Sequence, residues 1–224
     1  MRYKRAVIDS LCLSGLQVEA VFIHNPNYKI ETVKSKAVFN PRAWRDAFRK
    51  TLKRCMIEAK IIHTNLGLML PLISYSRTPL SQTIEFAGLH GYDERSQLLQ
   101  QTLKELSSQL KYADTSIARV DVAIDYAGNI PKKIIDQIHK SREPLRYGNT
   151  TYYKSPNEKN TNSYMDIKIY DKKRQAGLRF PLMRLEFCFK GRYLNELHFK
   201  DFIFVKSKME KSIKKATGLS VKIE

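Results

Sequence analysis

The sequence is poor in residues that build covalent or soft-metal frameworks. Its 3 cysteines, Cys12, Cys55 and Cys188, are odd in number and form no CxxC pair. Neither a disulfide scaffold nor a thiolate zinc site is therefore indicated, and a reducing compartment is expected. The 5 histidines, His24, His63, His90, His139 and His198, show no HxH or HExxH spacing, so no histidine-pair metal site is signalled. Long apolar runs are also missing. The stretch after the basic Arg2, Lys4 and Arg5 is broken by Asp9 and Ser10, too early for a signal segment or a membrane span. The expectation is a cytoplasmic protein with no membrane partner. Repeats, low-complexity tracts and linkers are absent from the sequence as well.

Acid is the scarcer charge: 22 Asp and Glu stand against 40 Lys and Arg, a net charge of +18. Such a field suits a polyanion, with nucleic acid ahead of an anionic membrane surface. A hydrophobic share of 42% supports a packed core, and the length suits one domain with a modest extension. The expected division is a single domain over residues 1–190 and a basic, helical C-terminal extension over 191–224.

Alternation of Val18, Ala20 and Phe22 with Glu19, Val21 and Ile23 predicts extended chain over residues 6–24, followed by a turn at Asn25-Pro26-Asn27. Asn40-Pro41 offers a helix start. Trp44, Phe48, Leu52, Cys55 and Ala59 then recur at helical spacing, predicting a helix to about residue 60. Residues 61–75 read as partly extended and 83–88 as a short strand. A second helix is expected from Asp93 through Leu99, Leu103, Leu106 and Leu110, and a short one after Pro131. Strands are expected at 117–126, 150–154, 164–171 and 182–190, and an amphipathic helix in the tail around Val205, Met209 and Ile213. This order predicts an α+β fold with a central, mostly antiparallel sheet backed by helices.

Three of the strands share a pattern. Side chains alternate across a strand, so Arg119, Asp121 and Asp125 share one face of IARVDVAIDY, and Val120, Val122 and Ile124 the other. In SYMDIKIYDKKRQ the same rule groups Asp166, Lys168, Tyr170 and Lys172, and in MRLEFCFK it groups Arg184, Glu186 and Lys190. A wet antiparallel face alternates in this way too, with cross-strand ion pairs. Mid-strand Asp is nevertheless depleted in proteins, and Asp121, Asp125 and Glu186 call for a cause. One cause is a hard divalent cation held by carboxylates on adjacent strands. Beside it a tyrosine could act as nucleophile. Ionising its phenol at neutral pH needs a shift of roughly 3 units, for which a metal ion with Lys168, Lys172 and Arg119 is the expected source.

These segments resemble the replication initiation factor family of plasmid and phage rolling-circle initiators and related transfer relaxases. ARVDVAIDY is similar to its R-x-D-x-A-x-D strand, TTYYKS to T-x-Y-x-G-S, IKIYDKKRQ to R-I-Y-[DN]-K-x-x-E and MRLEFCFK to W-R-[VL]-E-x-x-x-K. VIDSLCLSG resembles the opening strand and TIEFAG an internal one, so the matches run in family order over residues 7–190. Lys168, Lys154, Gln175 and Met183 depart from the motifs, standing where Arg, Gly, Glu and Trp are usual.

The resemblance implies an HUH-endonuclease-like fold with a ferredoxin-like core, and strand-specific nicking of origin DNA. Tyr170 would be the nucleophile, leaving a 5′-phosphotyrosyl end and a 3′-OH primer, with Arg119 and Lys168 as catalytic cations. Asp121, Asp125, Glu186 and Glu85 would hold Mg²⁺ or Mn²⁺. Lys172, Lys173, Arg174 and Arg184 would contact DNA, and Tyr153 would stack on a base. Implied partners are single-stranded or hairpin origin DNA, a host helicase and a second copy of the chain. The alternative reading is a DNA-binding regulator or packaging module that grips without cutting. An RNA-binding sheet is a weaker third, since no RNP-like run occurs.

Overall fold

The structure, a computed structural model, describes residues 4–15, 20–23, 25–38, 54–63, 67, 69–75, 82–154 and 165–224. In chain order the elements are β1 (Lys4–Gly15), α1 (Ala20–Ile23), β2 (Tyr28–Val38), β3 (Arg54–His63), β4 (Met69–Tyr75), β5 (Gln82–Ala87) and α2 (Glu94–Tyr112). There follow β6 (Ser116–Tyr126), α3 (Lys132–His139), β7 (Pro144–Tyr147), β8 (Thr150–Tyr153), β9 (Met165–Asp171), α4 (Lys172–Ala176), β10 (Met183–Lys190), α5 (Phe202–Thr217) and β11 (Val221–Ile223). The fold is mixed α+β, built on one large sheet in the order β2-β3-β4-β5-β1-β6-β10-β9-β8-β7. Every pair along that path is antiparallel; β11 lies off it and pairs in parallel with the first residues of β1, Lys4 to Ala6.

One face of the central strands is the core. Leu11, Leu13, Ile84, Phe86, Val120, Val122, Ile124, Ile167, Leu185, Phe187 and Phe189 are buried there. Against them lie Leu99, Leu106 and Leu110 of α2, Ile134 and Ile138 of α3, and Val205, Met209 and Ile213 of α5. These positions recur every four or seven residues along each helix, the stripe that an amphipathic helix buries. Asp93 caps α2, its carboxylate accepting from Ser96 N at 2.9 Å and Ser96 Oγ at 2.7 Å. Residues 191–224 join this core: α5 packs into it, Gly218 turns the chain at φ 74°, and β11 returns to pair Val221 with Lys4. No helix among the described residues is long and apolar enough to cross a membrane.

Sequence periodicity misread two segments. Residues 54–59, expected as the end of a helix, form β3, bonded on both sides to β2 and β4. Cys55, Ile57, Ala59 and Ile61 also alternate with period two, and β-branched isoleucines favour the strand once two neighbours are there to pair with. The rest of that expected helix, residues 40–53, lies outside the described residues. Residues 20–23, read as extended, form a single helical turn that buries Phe22 edge-on against Tyr28, with ring centroids 5.3 Å apart.

Candidate active site

Register places the polar face in rows across the sheet. One row runs Asp125, Arg184, Tyr170, Thr150, Tyr147 across β6, β10, β9, β8 and β7. The next runs Ala123, Glu186, Lys168, Tyr152, Leu145; then come Asp121, Cys188 and Asp166, and last Arg119 and Lys190. Because residues paired across an antiparallel ladder point the same way, the first two rows form one surface around Tyr170.

Arg184 organises that surface. Its side chain is fully buried, and its guanidinium donates to both oxygens of Asp125, at 2.7 and 2.8 Å, to Asp9 Oδ1 at 2.7 Å and to the His90 carbonyl at 3.2 Å. Asp9 reaches it through an irregularity in β1, where the register with β6 shifts between Ile8 and Ser10. A bulge of this kind re-aims a side chain. Burial pushes the Asp9 carboxyl up, against the pull of Arg184. At Asp125 burial also pushes upward, yet hydrogen bonds from Arg184, His90 and Tyr92 outweigh it and hold this carboxyl below the usual range. The Tyr92 hydroxyl donates to Asp125 Oδ2 at 2.5 Å, and its own pKa is pushed up to about 12, by burial first and then by that bond. Tyr92 follows Gly91, where a Cβ would lie 1.8 Å from Ser96 Oγ, so the loop closes tightly onto the α2 cap only with glycine there.

Tyr170 is 7% exposed, and its hydroxyl donates to Glu186 Oε2 at 2.7 Å. Lys168 Nζ donates to the other Glu186 oxygen at 2.5 Å. Burial, then the Glu186 charge and hydrogen bond, push the phenol pKa above its ordinary value. The sequence reading expected the opposite, a phenolate favoured by nearby cations. The cations are present but engaged: Lys168 is bound to Glu186, and Arg119 lies three rows away, roughly 20 Å along the strand at the usual rise per residue. What the geometry offers instead is a phenol that donates a hydrogen bond to a buried carboxylate, an arrangement in which the carboxylate could take the proton of an attacking phenol. The tyrosine also lines a cavity of about 370 Å³ with Asn149, Thr150, Asp171, Arg174 and Gln175.

The expected metal ligands do not come together. Asp125 and Glu186 belong to the Tyr170 end of the face. Asp121 is held by both arms of Arg119, whose Nε donates to Oδ1 at 2.9 Å, and Arg119 lies 3.7 Å from Glu85. Each of the four carboxylates thus faces a cationic side chain, and no group of three His, Cys, Asp or Glu placed to hold a metal ion occurs among the described residues. This donor set does not fit Mg²⁺ or Mn²⁺, which would need several oxygens converging on one point. The guanidinium of Arg184 supplies the positive charge between Asp9 and Asp125.

The expected DNA contacts divide as well. Asp171 ends β9 and caps α4, accepting from Arg174 N at 3.0 Å. Lys172 therefore begins a helix and does not continue the strand face. Lys173 and Arg174 are exposed, and Arg174 reaches Asn149 Oδ1 at 3.3 Å beside the cavity. Arg184 is not a surface contact, being wholly interior. Tyr153 does not present a stacking face either: it is 3% exposed and its hydroxyl bonds His139 at 3.0 Å. The residues that sequence missed are Asp9, re-aimed by a bulge, and His90 and Tyr92, on a loop where no period marks them.

No family model and no curated protein matches the chain. Among solved structures the chain is similar to the rolling circle replication initiator protein from Geobacillus stearothermophilus, with a TM-score of 0.44 and 13% identity over 84% of this chain and 75% of that one.

Proposed function

We propose that this chain is a replication initiator that cuts and rejoins one strand of DNA through Tyr170. The carrying observation is the 2.7 Å hydrogen bond from its hydroxyl to Glu186 at the wall of a cavity that Arg174 also lines. In the proposed step the phenol oxygen attacks phosphorus as its proton passes to Glu186 Oε2. The bond from phosphorus to the 3′ oxygen breaks, and that oxygen leaves as a hydroxyl after taking a proton from water. The 5′ phosphate stays on Tyr170, the 3′ end is free to prime synthesis, and the reverse step rejoins the strand. Lys168 holds Glu186 in place, and Arg184 fixes the strand row on which Tyr170 stands. Arg174 and Lys173 supply contacts to flanking phosphates. The net charge of +18 supports a polyanionic substrate.

A second reading, a DNA-binding module of the same fold that does not cut, is favoured by the burial of Tyr170 and its raised pKa. The two separate in one experiment. End-labelled single-stranded oligonucleotides carrying candidate origin sequence are incubated with the protein, with Mn²⁺ or with a chelator. The nicking reading expects a covalent adduct that Tyr170→Phe abolishes. Binding with a steep salt dependence and no adduct in either arm decides for the module.

A further inference from the structure

Three aromatic rings stay exposed beside this site instead of entering the core: Tyr92 at 43%, Phe180 at 48% and Tyr147 at 77%. Tyr92 packs edge-on against Phe180 with centroids 5.9 Å apart, and its hydroxyl is fixed on Asp125. Tyr147 pairs with Thr150, and Thr150 with Tyr170. It therefore shares the face of Tyr170 two strands away, about 10 Å at ordinary strand spacing. Asp125, the anchor of Tyr92, stands two strands away on the opposite side in the same row. The candidate nucleophile thus lies midway between two sets of exposed rings, on a line running across the strands.

Such rings fit one occupant by chemistry. The bases of a duplex are stacked on each other and closed to a protein ring, whereas those of a single strand are free to stack on aromatic side chains. The charge agrees: Lys173 and Arg174 are exposed on α4, which follows Tyr170 directly in the chain, and Arg174 lines the cavity that Tyr170 lines. We propose that Tyr147 on one side and the Tyr92 and Phe180 pair on the other are base-stacking platforms. Between them they hold a single strand across the sheet with a backbone phosphate over Tyr170. The inference rests on the nicking reading only in taking that phosphate as the one attacked.

The test is fluorescence anisotropy with a short labelled oligothymidylate and, separately, a blunt duplex of equal length, alongside adduct formation by the same proteins. Tyr147→Ala and Phe180→Ala are each expected to weaken single-strand binding roughly 5- to 150-fold, with duplex binding unchanged. Tyr147→Phe, which keeps the ring, is expected to bind as the unmodified protein does. Both rings are at the surface, so thermal unfolding of the variants should match the parent. Unchanged single-strand affinity in both alanine variants, or equal losses for single strand and duplex, overturns the platforms. Ring-dependent binding without an adduct leaves the platforms standing and removes the nicking reading. An adduct with ring-independent binding does the reverse.

Discussion

The two ends of the polar face share one device, a strand arginine gripping an aspartate with both arms, yet they are built for different ends. At the Arg119 end the arginine is 37% exposed over a buried Asp121, with Cys12 and Cys188 nearby, both thiols pushed up to about 12, by burial first and then by neighbouring carboxylates. That arrangement carries a charge pair and no reactive group. At the Arg184 end the arginine is wholly interior and holds two carboxylates, and beside it a phenol is bonded to a third, next to a cavity. Like residues at like spacing acquire different chemistry from what surrounds them, and burial of the cation is the main difference.

The largest contrast should appear in stability. Arg184→Met strands Asp9 and Asp125 in the interior and is expected to cost about 3 to 5 kcal/mol in chemical denaturation. Arg119→Met lets water reach Asp121 and is expected to cost about 1 to 3 kcal/mol. Equal losses would erase the distinction between the ends.

Activity should separate them next. Glu186→Gln is expected to slow adduct formation by roughly 10²- to 10⁴-fold, the usual contribution of a positioned base, while Asp121→Asn leaves it unchanged. An equal loss in both would mean that the two ends act together, as a shared metal site would require. Tyr170→Phe, in turn, should cost only about 1 kcal/mol of stability, since Glu186 keeps its bond from Lys168.

The smallest effect is on acid stability. The Asp125 carboxyl sits below its ordinary value of 3.8 in the folded chain. Its stabilisation is therefore complete above that pH and lost as the pH falls from 3.8 toward the folded value. Asp9, raised, acts in the opposite sense: its ionisation as pH rises weakens the fold. Asp125→Asn should flatten the acid limb of the stability curve, whereas Asp121→Asn, at the other end, serves as the comparison.

Much of this contrast is legible in the sequence. Alternation in β6, β9 and β10 assigned Tyr170, Glu186 and Asp125 to one face, because a period of two is a local property of the chain. Which carboxylates would meet was not legible. Strand alternation does not encode register, and register puts Asp121 two rows from Tyr170 and leaves Glu85 with Arg119. The three residues of β11 and the four of β7 were too short to carry a period, so the edge strand bearing Tyr147 went unseen. Asp9 depends on a one-residue irregularity in pairing, and Tyr92 and Phe180 on loop geometry, for which sequence spacing holds no signal. Tyr153 was misjudged because an aromatic in a strand reads the same whether it faces solvent or His139.

Peptide mapping of the covalent product tests the central claim most directly. After digestion of protein and DNA, mass spectrometry should find a 5′-linked nucleotide on the Tyr170 peptide. The same nucleotide on any other residue, or no linked nucleotide from a protein that demonstrably binds the strand, would contradict the account.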